Sequence, residues 1–67
     1  MNISTGYNLR MLRFMKNLPQ DEVAEAIGVG KVTIWRYEND KVKNPNLYNI
    51  KKIASFYGVP IGTILEK

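Results

Sequence analysis

The sequence predicts an all-α fold, a compact single domain of five short helices. Two observations predict it. Apolar residues recur at steps of three and four in five successive segments, and Asn17, Gly28, Pro45 and Gly58 punctuate the chain between them. A chain of 67 residues leaves room for one domain, residues 1–67, and buries only about 60% of its unfolded surface, so its core is small.

Met1 to Ser4 form a short polar lead without periodicity. Ser4 or Thr5 then caps a first helix from Thr5 or Gly6 to Lys16, with Leu9 and Leu12 inward. Asn17 is a left-handed stop, after which Leu18 turns back to the core. Pro19 brings no capping oxygen to the second helix, yet proline suits a first helical turn, and Asp21 and Glu22 place negative charge at the positive end of the helix dipole. Val23, Ala24 and Ile27 form its inner stripe, and Gly28 can end it in the left-handed region. A third helix starts at Gly30 or Lys31 with Ile34, Tyr37 and Glu38 toward the body, so residues of about 20–39 form a helix-turn-helix with Val29 turned inward between the helices. Pro45 blocks continuation of the following loop. Asn46 caps a fourth helix to about Tyr57 with Leu47, Ile50, Ile53, Ala54 and Tyr57 inward, and Lys51 and Lys52 on its outer, solvated face. Gly58 ends it, Val59 re-enters the core, and Pro60 opens a last short helix from Ile61 to about Leu65.

Composition removes several function classes. With neither Cys nor His, the chain lacks a disulfide framework, the usual zinc ligands and the commonest general base. No nucleophile–base pair, phosphate loop or metal cluster appears, so the reading is non-enzymatic, with no cofactor and no metal. Its longest apolar runs are a few residues, against the ~20 that span a bilayer, and a signal-peptide core is missing. A soluble, cytoplasmic protein is expected.

The net charge of +4 is unevenly spread. The first nineteen residues are basic through Arg10, Arg13 and Lys16, the next eleven acidic through Asp21, Glu22 and Glu25, and Glu66 offsets Lys67. Positive charge resumes at Lys31, where the third helix starts, and continues through Lys41 and Lys43. Such a basic stretch favours a polyanionic partner. Opposite its inner stripe, the third helix carries Lys31, Val32, Trp35, Arg36 and Asn39. Lysine and arginine donate to guanine O6 and N7 and valine meets a thymine methyl, so this face suits a DNA major groove. An ordinary solvated helix face fits the same residues.

Gln20, Ala24, Gly28-Val29, Ile34, Tyr37-Glu38-Asn39, Pro45, Ile53-Ala54, Gly58-Val59 and Leu65 stand in the order and spacing of the Cro/cI-type, or XRE-type, helix-turn-helix family. From Thr5 to Leu65 the chain resembles that lambda-repressor-like family. The resemblance implies a sequence-specific, double-stranded DNA-binding transcriptional regulator, a cytoplasmic repressor of bacterial or phage origin that binds a pseudo-palindromic operator as a homodimer. It implies base contacts by Lys31, Val32 and Arg36, with Thr33 serving either a phosphate or a thymine methyl, backbone contacts by Gln20, Asn39, Lys41, Lys43 and Asn44, and a partly buried ion pair of Arg13 with Glu38; Trp35 fits either a DNA backbone contact or a contact with the partner subunit. Two departures stand out. Trp35 occupies a position where the family commonly has a small or polar residue, and Asp40 one where it usually has Gly, whose left-handed conformation suits aspartate less. The resemblance also implies a subunit contact at the C-terminal end, here Val59, Pro60, Ile61 and Leu65. Closure of the small core by Ile64 and Leu65 fits that segment equally. The alternative function is a protein-binding module of the same fold, an antitoxin or the inhibitor of another regulator. Trp35 and the apolar Met11, Phe14 and Met15, which either pack under the C-terminus or meet a second protein partner, speak for it.

Overall fold

A computed structural model describes residues 4–65. Met1 to Ile3 of the polar lead and the Glu66–Lys67 charge pair lie outside the described residues. The order of elements is α1 (Thr5–Met15), α2 (Gln20–Ile27), α3 (Lys31–Glu38), α4 (Leu47–Tyr57) and α5 (Ile61–Ile64).

The helix ends follow from local chemistry. Ser4 Oγ accepts the Tyr7 amide at 3.0 Å at the start of α1, and Asn46 Oδ1 accepts the Tyr48 amide at 2.8 Å at the start of α4. Both satisfy amides that the helix itself leaves unpaired. Pro19 caps α2 without a side-chain bond. Gly28 and Gly58, at φ 86° and 70°, close α2 and α4 in the left-handed region, and the Val29 and Val59 amides beyond them return to Ala24 O and Ala54 O. Each valine is thereby turned inward, half-buried against the core.

Leu9, Val23, Ala24, Ile27, Ile34, Tyr37, Ile50, Ile53, Ala54, Tyr57 and Ile64 form that core, which draws on all five helices. Leu12 and Leu18 pack at its edge. Asn8 Nδ2 donates to Ile64 O at 2.9 Å, joining α1 to the end of α5. Leu47 corrects the expected inner stripe of α4, because it is 57% exposed. It is the first residue of the helix, and its side chain tilts back toward the N-terminus, off the end of the body that Ile50 already reaches.

Tyr57 reports on this core. Burial first, and the nearby Glu38 charge second, push its phenol up to about 12. A folded-state value above the ordinary one near 10 means that the contribution is intact below about pH 10 and is lost as pH rises toward 12. Tyr57 is therefore expected to form phenolate only well above the ordinary tyrosine value, with loss of helical ellipticity over the same range. Tyr57→Phe should remove that part of the alkaline loss, which ultraviolet difference absorbance and circular dichroism would follow together.

Candidate nucleic-acid interface

One face of α3 is committed to the body. Ile34, Tyr37 and Glu38 are buried, and Glu38 is a carboxylate only 2% exposed. Arg13 on α1 meets it with a two-pronged bond, Nε to Oε2 at 2.7 Å and Nη2 to Oε1 at 2.9 Å. Its remaining nitrogen, Nη1, donates to Leu18 O at 2.9 Å in the turn between α1 and α2. The bonds to Glu38 outweigh the effect of burial and raise the Arg13 pKa above its already high ordinary value. Gln20, at the start of α2, adds a third donor, Nε2 to Oε1 at 3.0 Å. Glu38 therefore fastens α3 to both preceding helices, and a buried charge so fully bonded acts as a fixed joint.

With that face fixed, the opposite one must point outward. Lys31, Val32, Trp35, Arg36 and Asn39 are exposed along it, Val32 at 70%, and Thr33 is half-buried at its edge. Asn39 Nδ2 bonds back to Trp35 O at 2.8 Å. Beyond the helix, Asp40 takes φ 56°, and the Lys41 amide returns to Arg36 O at 2.9 Å. The chain then leaves as a loop in which Lys41, Lys43 and Asn44 are exposed, while Val42 packs on the core. These residues, with half-buried Gln20, bring together cationic, amide and apolar groups on and around one exposed helix face. Val59, Ile61 and Leu65 are instead half-buried against the core, and Pro60 is exposed beside them. Ile64, fully buried, is the residue of the terminal segment that closes the core.

Two residues of α1 that meet the C-terminal end of α3 went unassigned in the sequence. Arg10 donates a guanidinium N–H to Glu38 O. Gly6 is buried beneath the same carbonyl, and its amide donates to Asp40 Oδ1 at 2.9 Å. A signal was present: Gly6, Arg10 and Arg13 recur at steps of four and three, and a glycine inside a helical pattern marks a close approach.

The helix-turn-helix family model matches residues 9–64. Among curated relatives, the chain is 46% identical over 58 residues to the cryptic phage CTXphi transcriptional repressor RstR of Vibrio cholerae, covering 87% of this chain and 51% of that protein. It is 37% identical over 58 residues to the HTH-type transcriptional activator BcrR of Enterococcus faecalis, covering 87% of this chain and 28% of that protein. The chain thus spans about half the length of the first of these relatives and little more than a quarter of the second. An uncharacterized HTH-type transcriptional regulator of Methanocaldococcus jannaschii is 39% identical over 56 residues, covering 84% of this chain and 83% of its own length. Among solved structures, a hypothetical transcription factor from Neisseria superposes with a TM-score of 0.83 at 31% identity, covering 91% of this chain and 69% of that one.

Proposed function

Because the chain belongs to the Cro/cI-type helix-turn-helix family, we propose that it is a sequence-specific DNA-binding transcriptional repressor. One observation carries this reading: α3 is locked to the body through Glu38 while Lys31, Val32 and Arg36 stand exposed on its opposite face. A recognition helix needs that combination, since base edges are read only by side chains held at a fixed depth and angle in the groove.

Lys31, Val32, Thr33 and Arg36 read base edges. Gln20, Trp35, Asn39, Lys41, Lys43 and Asn44 hold the backbone, which sets register and supplies the salt-dependent affinity. One amide hydrogen of Gln20 is committed to Glu38; the other serves a phosphate. Two copies meet through Val59, Pro60, Ile61 and Leu65 and place their α3 helices in half-sites about 34 Å apart on a pseudo-palindromic operator. The protein acts in the cytoplasm, on the nucleoid when bound.

Fluorescence anisotropy with duplexes selected from a random pool, measured against random duplex across a salt series, tests the reading. A two-fold symmetric site bound at least ~10³ tighter than random DNA at physiological salt is the expected result. Equally weak binding to every duplex, vanishing as salt rises, would leave only a charge patch.

The outer face of α1 favours a second reading, a protein-binding module, because Met11, Phe14 and Met15 are exposed along it. A single protein retained in stoichiometric amount after nuclease treatment is the outcome that would prefer it.

A further inference from the structure

The C-terminal end of α3 lies closer to α1 than any side chain at position 6 would permit. A Cβ on Gly6 would stand 2.5 Å from Glu38 O and 2.9 Å from Asp40 Oδ2. Across this contact the Gly6 amide donates to Asp40 Oδ1 and Arg10 to Glu38 O. Asp40 meanwhile sits at φ 56°, a conformation that glycine adopts without strain and aspartate does not. Its bond to the first turn of α1 offsets that strain and directs the carboxylate at the positive end of the α1 dipole. An anion next in the chain to Lys41 is thus held by a helix instead of standing free beside a phosphate.

From this geometry we propose that Asp40 is a positioning residue for DNA binding. It anchors the start of the 41–45 loop to α1, and so fixes where Lys41, Lys43 and Asn44 meet the backbone. The inference rests on the DNA-binding reading above and adds a residue that itself touches no DNA. Val42 provides the loop's second attachment, packing on the core two residues further on. Between the two attachments the path of Lys41 is set at both ends.

Asp40→Gly and Asp40→Asn test it. Glycine removes both the strain and the anchor; asparagine keeps an oxygen that accepts the same Gly6 N–H. Three measurements are made on each variant: the urea unfolding midpoint, hydrogen exchange of the Lys41 amide, which Arg36 O accepts, and anisotropy with selected and random duplexes. Asp40→Gly is expected to keep a midpoint near the wild type, to exchange faster at the Lys41 amide, and to bind both kinds of duplex about tenfold more weakly, as loss of sequence-independent contacts requires. Asp40→Asn should restore slow exchange and wild-type binding. Unchanged exchange in Asp40→Gly overturns the proposal whatever the DNA does, and so does equally tightened binding by both variants, which would make the carboxylate merely repulsive. A wild type without preference for any duplex, together with faster exchange in Asp40→Gly, would instead sink the operator-binding reading and leave the anchor standing.

Discussion

Arg13→Ala is expected to cost about 3–5 kcal/mol of folding stability, the largest loss foreseen for any single side chain of this protein. The reason lies in what it leaves behind. Glu38 is almost wholly buried, and two of the three donors on its carboxylate belong to Arg13. Without them the charge keeps only the Gln20 amide, and Leu18 O loses its donor as well. A chain of this size has a small core and sits toward the low end of the usual 5–15 kcal/mol, so much of its stability is at stake. Arg13→Lys should recover part of the loss: the charge returns, but an ammonium cannot reproduce the planar fork. Arg13→Met combined with Glu38→Met should be milder than Arg13→Ala alone, because no charge is stranded. Urea unfolding followed by ellipticity would measure all three. A loss below 1 kcal/mol for Arg13→Ala would mean that the pair is solvated in solution and does not hold α3.

The joint between α1 and α3 also marks how far the sequence could be read. Stops and caps were legible because they act within a few residues: Asn17, Gly28 and Gly58 take the left-handed region, and Ser4 and Asn46 accept amides two or three residues away. The inner stripes of α2 and α3 followed from periodicity alone. Leu47 was misread for the same reason, since a stripe carried one turn too far ignores where the body ends. The Gly6–Asp40 bond spans 34 positions, and the partner that makes a left-handed aspartate acceptable lies on another helix. No local rule connects the two. Periodicity likewise places Arg36 on the outer face of α3, whereas the base contact proposed for it depends on the docking of that face, which no contact within the chain encodes.

Arg36→Ala is expected to weaken binding to the selected operator by about 1–3 kcal/mol and to relax the preference at one base position. Among the described residues the one ion pair is Arg13–Glu38, so the guanidinium of Arg36 is unengaged by any carboxylate and exposed on the outer face of α3. The substitution leaves the Arg36 carbonyl in place to accept the Lys41 amide, so the unfolding midpoint should hold and any loss of affinity belongs to the DNA. Lys43→Ala makes the contrasting case. Its side chain is exposed in the loop; if the proposed backbone contact holds, affinity for selected and random duplexes should fall together and the slope of log affinity against log salt should flatten by about one. Selection repeated with the Arg36→Ala protein checks the base assignment directly: a site logo with one degenerate position in each half-site is the expected outcome. An equal loss on both duplexes, with the logo intact, would move Arg36 to the backbone and leave Lys31, Val32 and Thr33 to carry the reading of sequence.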